Sequence, residues 1–320
     1  MELNNLKVVL INPTHHHGKT VPKSMIWTND SFDTSAKLFG AKLYHILDED
    51  IDRTADLYYI INFDINLIDK EIEFATQMKQ RGAKILVSYS QDVRFLHGGG
   101  LWNSKGFIYT DLCEVADMIV CGISQDIKIY GRYQDKVIQM GEIIEDNDFS
   151  IPYEERDIDL LTSGAIGEEC LGFELEFLSL VKQRFPEKRV VSIIHSYYGS
   201  LIDILRKKYP LIEFPNDGTS FINYLQRAKV YCNPELRPRS GRSLVEAYYC
   251  RTPFIASNMM YHAKMCPSFT YNSSSIVDWV NTYELLINTD YNKIIQEMEE
   301  VAKFDMFENV YKRILEKIRL

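Results

Sequence analysis

Short apolar runs rich in β-branched residues alternate with longer amphipathic stretches along most of the chain. The first run covers residues 6–12 and stops at Pro13. Similar runs at 41–46, 57–63, 84–89, 118–121 and 136–140 predict strands, with helices expected over 66–81, 105–116 and 125–133. Gly82 closes the first of these helices and Ser124 opens the third. Residues 14–35 have few apolar repeats and read as a long loop, a kind of segment that in ordered proteins usually carries function. Residues 142–157 lose all periodicity and turn acidic around Pro152. The alternation then restarts, with strands predicted at 158–162, 189–195, 211–214, 229–233 and 254–257. Helices fall between them at 172–184, 200–208, 220–227 and 242–250, and residues 275–320 are almost wholly helical in pattern.

Apolar strands alternating with helices predict parallel sheets covered on both faces, hence an α/β protein. The acidic break suggests three segments: 1–150, 151–300 and a terminal helix in 301–320.

Composition narrows this picture. Of 320 residues, 46% are hydrophobic and 25% charged, which excludes a mainly disordered chain. The net charge of −9 argues against a protein built around an electrostatic grip on nucleic acid, though a local basic cleft stays open. Six cysteines stand apart with no CxxC pair, so neither a zinc site nor a disulfide framework is expected. No apolar run reaches the ~20 residues of a membrane span and the start does not resemble a signal peptide, so a cytoplasmic location is the expectation.

The most informative stretch runs from Tyr231-Cys232-Asn233-Pro234 through Arg237-Pro238-Arg239-Ser240-Gly241-Arg242-Ser243-Leu244 to Glu246-Ala247, then Pro253-Phe254-Ile255-Ala256-Ser257. It resembles the signature of retaining glycosyltransferases of the GT-B fold, family four in particular, with Gly241, Glu246, Ala247, Pro253, Ile255, Ala256 and Ser257 in register. Two further stretches, 116–141 and 220–234, are similar to units of the same family. The resemblance implies two Rossmann-like domains with a cleft between them and a C-terminal helix crossing back to the first domain. It also implies transfer of a sugar, with retention, from a nucleotide-diphosphate sugar, a UDP-sugar being favoured, without a cofactor or metal. Glu246 would bind the ribose hydroxyls, and Gly241, Ser243 and Leu244 would line the donor site. Ser163 and Gly164, after the first strand of the second half, would do the same.

A sugar nucleotide leaves as a diphosphate, so its site must stabilise growing negative charge. A helix starting near Arg242 offers backbone N–H groups and a positive dipole end, with Gly241 allowing close approach. Two departures from the family pattern compensate in charge. The family's first Glu falls on Pro238, inside a cluster of Arg237, Arg239 and Arg242, while its basic loop after the 158–162 strand becomes Ser163-Gly164-Ala165-Ile166-Gly167-Glu168-Glu169. Arg237 is therefore a candidate donor ligand, and Arg239 and Arg242 candidates for stabilising the leaving diphosphate.

In the first half, Asp92 and His97 follow an apolar strand, where open α/β sheets bind ligands, and are candidate catalytic residues. Gly18 and Lys19 belong to Pro13-Thr14-His15-His16-His17-Gly18-Lys19-Thr20, a candidate acceptor or phosphate loop. A P-loop is disfavoured there because Pro13 and Pro22 replace a needed glycine and interrupt the needed helix. The acceptor stays open among a glycan, a small molecule and a modified DNA base flipped into the site, as in phage-type enzymes. A non-catalytic nucleotide-sugar-binding protein is the remaining alternative, and no partner chain or oligomeric state is indicated.

Overall fold

The computed structural model describes residues 6–11, 41–62, 67–89, 111–121, 127–141, 143–163, 168–194, 199–215, 218–235, 241–272 and 275–319. The chain divides into one unit of residues 1–145 and 305–320 and a second of residues 146–304.

The first unit is built on a six-stranded parallel sheet. Its strands are β1 (Val8–Ile11), β2 (Lys42–Tyr44), β3 (Leu57–Asn62), β4 (Lys84–Tyr89), β5 (Met118–Cys121) and β6 (Val137–Gln139), in the order β2-β1-β3-β4-β5-β6. The strand pattern fixes which side chains face which layer. Val9, Ile11, Tyr58, Ile60, Ile85 and Val87 share one core with Phe74, Ala75 and Met78 of helix α1 (Ile68–Gln80). Their neighbours Val8, Leu10, Leu57, Tyr59, Leu86, Met118 and Val120 join a second core. That opposite core is closed by Val310 and Ile314, from the last helix of the chain (Phe307–Arg319). The terminal helix thus returns to the first sheet, and a parallel bridge between Ile144 and Met306 runs beside it.

The second unit holds a five-stranded parallel sheet. Its strands are β7 (Leu160–Ser163), β8 (Val190–Ile193), β9 (Tyr231–Asn233), β10 (Phe254–Ser257) and β11 (Thr270–Tyr271), in the order β11-β10-β9-β7-β8. The helices between and after them are α2 (Glu168–Arg184), α3 (Gly199–Lys208), α4 (Phe221–Arg227), α5 (Arg242–Tyr249), α6 (Ile276–Ile287) and α7 (Tyr291–Ala302), the Phe307–Arg319 helix being α8. The α/β class and the two parallel sheets expected from the pattern are present.

Three expectations are corrected. The helix expected over 125–133 is 3₁₀ in character, Ile127–Lys136, and breaks at Gly131 (φ 52°, ψ −121°). The strand expected at 211–214 shrinks to one bridge between Val191 and Glu213, because residues 209–212 turn there, with Ile212 N–H bonded to Tyr209 O. Helix α2 starts at Glu168, four residues before the expected position, so the acidic pair opens the helix.

Candidate functional site

The winding of each sheet singles out one place. In the second unit the chain passes from β7 to β8 on one side, then returns to add β9, β10 and β11 on the other. Loops leaving the carboxyl ends of β7 and β9 therefore diverge, and in open α/β sheets ligands bind there. Ser163 ends β7 and Asn233 ends β9. Helix α5, the next helix after β9, begins at Arg242.

The start of α5 depends on Gly241, which takes a left-handed conformation (φ 88°, ψ 47°) at the N-cap. Gly241 has no side chain with which to cap this end. A Cβ added at Gly241 would lie 3.1 Å from Leu244 Cδ1 and 3.4 Å from His262 Cβ, so both space and torsion favour glycine. The carbonyl of Gly241 accepts the Leu244 N–H at 2.9 Å. Leu244 is fully buried and contributes packing beneath the turn.

At the other end, α5 closes with Arg251 in a left-handed conformation (φ 50°). The Thr252 N–H bonds Ala247 O at 2.8 Å and the Arg251 N–H bonds Tyr248 O at 2.9 Å, the paired bonds of a Schellman cap. Arg156 anchors this end. Its guanidinium donates to Cys250 O, Ala228 O and Thr252 Oγ1, each at 2.8 Å, and is 2% exposed. A cation on the last carbonyl of a helix is also favourable to its dipole. Both ends of α5 are thus fixed.

Around the N-terminus of α5 the buried polar groups connect. Asn233 Nδ2 donates to Ser243 Oγ at 2.7 Å, and Asn233 Oδ1 accepts the Glu235 N–H at 2.9 Å. The Tyr271 hydroxyl donates to Asn233 O at 2.5 Å. Tyr231 Oη lies 2.7 Å from Ser163 Oγ. Burial pushes the Tyr231 phenol well above its ordinary value, so it stays protonated at any working pH. Glu246, one turn into α5, bonds Arg242 Nε through Oε1 at 3.3 Å. Both side chains of that pair are about one-fifth exposed, Arg242 19% and Glu246 20%.

The structure brings Ser163, Gly241, Arg242, Ser243, Leu244 and Glu246 to one edge of the second sheet. Gly164, Arg237 and Arg239 lie outside the described residues, as do Gly18, Lys19, Asp92 and His97. The sequence reading missed three contributors: Tyr231, Asn233 and His262. The first two carried a signal, since a phenol and an amide flank Cys232 in a strand that is buried throughout. His262, fully buried against Gly241, follows β10 in a short 3₁₀ turn without a pattern to mark it.

Charge is arranged differently at the opposite edge. Asp157, Asp159, Arg189 and Lys229 stand just before β7, β8 and β9. Asp157 bonds Arg227 at 2.8 and 2.6 Å and also pairs with Arg189, which reaches Glu213 at 2.8 and 2.7 Å. The Arg227 guanidinium holds the Asp157 carboxyl down to about 2. Ion pairs therefore line the amino ends of these strands, while at the carboxyl ends of β7 and β9 neutral hydroxyls and an amide stand beside the single described pair Arg242–Glu246.

Comparison with solved structures gives a consistent architecture. The E. coli trehalose-6-phosphate protein bound with UDP-2-fluoro glucose aligns with a TM-score of 0.66 at 9% identity, over 97% of this chain and 98% of that one. Sucrose-phosphate synthase from Thermosynechococcus elongatus aligns at 0.61 and 13% identity, over 95% and 81%. The pneumococcal O-GlcNAc transferase GtfA, in complex with UDP and GlcNAc, aligns at 0.59 and 13% identity. That match covers 82% of this chain, which spans only 56% of the transferase's length. No family model matches the chain, and no curated protein does. The chain has the GT-B fold in a far-diverged sequence; these structures do not single out family four within it.

Proposed function

We propose that the chain is a glycosyltransferase that binds a nucleoside-diphosphate sugar at the carboxyl edge of its second sheet, with UDP the favoured nucleotide. The observation that supports this best is the N-terminus of α5 at the β7/β9 switch point, opened by a left-handed glycine that offers no side-chain cap and where a side chain would be strained. A helix start presents N–H groups and the positive end of the dipole, both suited to a diphosphate. The charge that grows as the sugar departs would meet donors already in place, which lowers the barrier without reorganisation. Glu246 sits one turn further, where its carboxylate would take the ribose hydroxyls while Oε1 holds Arg242 beside the phosphates. Retention at the anomeric carbon and catalysis without a metal are part of the same proposal. The neighbours bound with UDP or a UDP-sugar favour uridine.

A thermal-shift series with UDP, GDP and their glucose and N-acetylglucosamine derivatives tests the reading. A ligand at 100 times its Kd should stabilise the fold by roughly 2.7 kcal/mol. Glu246→Gln should abolish most of that shift for nucleotide ligands while leaving the unliganded midpoint nearly unchanged, because an amide keeps the volume and loses one acceptor. Absence of any shift with every nucleotide would refute donor binding. A shift without release of free UDP from any UDP-sugar, over a panel of sugar and hydroxymethylated-DNA acceptors, would leave a binding protein in place of an enzyme.

A further inference from the structure

We infer that Arg156, buried at the far end of α5, sets the electrostatic field of the donor site by cancelling the negative end of that helix. The inference rests on the donor-binding reading above. It adds a positioning residue that touches neither phosphate nor sugar, yet governs how strongly the start of α5 attracts charge.

Arg156 is 2% exposed, but among the described residues no carboxylate pairs with it. Its guanidinium donates to the carbonyls of Ala228, Cys250 and Ile151 and to the hydroxyls of Thr252 and Tyr291. Its Nε bonds nothing among the described residues. The rings of Tyr153 and Tyr291 lie 6.0 and 5.7 Å from its Cζ. An arginine stays charged when buried, and buried charges are normally paired. Here two helix ends stand where an anion would. Ala228 is the C-cap of α4 and Cys250 the C-cap of α5, so one cation faces the negative ends of both helices.

For α5 that matters at the other end, because the helix is short. Eight residues rise only about 12 Å, so the negative end of a bare helix would offset much of the attraction its start exerts on a diphosphate. A full positive charge exceeds the half charge of the dipole and reverses the sign there. The start of α5 is then backed by a cation. Capping alone does not call for a charge, since Ala247 O and Tyr248 O are already bonded by the Thr252 and Arg251 N–H groups and a neutral donor would serve Cys250 O. Neighbouring charges do not substitute for Arg156. Arg227 pairs with Asp157, and Arg251 with Asp148 and Glu299, with every side chain at least 40% exposed and screened by water.

The test compares Tyr291→Glu with Tyr291→Gln. The Tyr291 hydroxyl stands 3.5 Å from Arg156 Nη2. The two variants lose the same tyrosine and have the same shape, and only the first sets an anion against Arg156. Affinities for uridine, UMP and UDP are measured by titration at low and physiological salt, with urea midpoints alongside. Relative to Tyr291→Gln, Tyr291→Glu should bind UDP about threefold to tenfold more weakly at low salt, UMP less so and uridine equally, and the loss should shrink as salt rises. Arg156→Met should show the same ordering by ligand charge. Arg156→Lys keeps the charge and loses the planar fork, and should stay within about twofold of wild type. A purely structural role predicts otherwise. Displacing α5 would weaken uridine as much as UDP, because Glu246 rides on the same helix, and Arg156→Lys would fall with Arg156→Met. Either result overturns the inference, as does equal UDP affinity of the two Tyr291 variants, and the donor-binding reading then stands. Should Arg156→Met fail to fold, the Tyr291 pair decides alone. Wild type that binds neither UDP nor GDP removes both.

Discussion

In the first unit both faces of the sheet are closed by carbon. Val9, Ile11 and Ile60 on one side and Leu10, Leu57 and Leu86 on the other are buried in two apolar cores. In the second unit the sheet is wound by the same rule, yet its interior is partly polar. Of the eleven buried polar or charged side chains among the described residues, nine belong to the second unit and only Glu71 and Asp305 to the first. Burial of a polar group costs free energy unless a partner is supplied. The partners are supplied: Glu174 Oε1 accepts Thr162 Oγ1 at 2.5 Å and Ser192 Oγ at 2.7 Å, joining α2 to β7 and β8. The difference separates two jobs. Carbon packing specifies shape through volume, whereas hydrogen-bonded interiors specify orientation, which a ligand site at a strand end needs.

The contrast can be broken most forcefully in the first unit. Leu10→Ala should destabilise by about 3 kcal/mol, while Leu10→Met, which conserves volume, should cost less than about 1.5 kcal/mol. Urea denaturation of the two variants checks this, and a Met cost equal to the Ala cost would mean that shape alone does not govern this core.

In the second unit volume should matter less than polarity. Arg156→Met keeps much of the stem and removes donors from Cys250 O and Ala228 O, and a loss of about 2–3 kcal/mol is expected. Thr252→Val is nearly isosteric. It removes a hydroxyl that accepts from Arg156 and donates to Leu225 O at 2.8 Å, for about 1 kcal/mol. If both variants unfold at the wild-type midpoint, the polar interior is decorative and the comparison fails.

The smallest effect lies at the amino-terminal edge. Asp157 is held below its ordinary value, so its pairing stabilises the folded chain above about pH 4. That contribution is lost as pH falls from about 4 towards 2, and for a group this exposed it should stay under about 1 kcal/mol. Urea midpoints measured across that window should fall less steeply for Asp157→Asn than for wild type.

Much of the fold was legible because its strands are short, apolar and separated by helices with their own punctuation. Gly82, at φ 90°, ends α1 as its place after the apolar repeat implied. Strand β11 escaped because two residues carry no periodicity, and the 127–136 segment misled because a helical apolar spacing also fits 3₁₀ turns broken by a glycine. At the candidate site, local pattern pointed to Gly241, Ser243 and Glu246, which lie on one turn and one helix. It did not deliver the partners. Tyr231 meets Ser163 across 68 positions, and Arg156 reaches Thr252 across 96. Pairings of that span are set by sheet order, which a local reading of the chain does not contain.

The return of α8 to the first sheet has a consequence for synthesis. A ribosome delivers residues 6–145 long before residues 305–319, and only the latter supply Val310 and Ile314. At ordinary elongation rates the interval is roughly 10–30 s. Throughout it, one apolar face of the nascent first sheet, bearing Leu10, Leu57, Leu86 and Val120, stays without its helical cover. The whole second unit emerges meanwhile. The first unit is therefore begun first and finished last, and a chain released early would carry an open hydrophobic face that chaperones recognise.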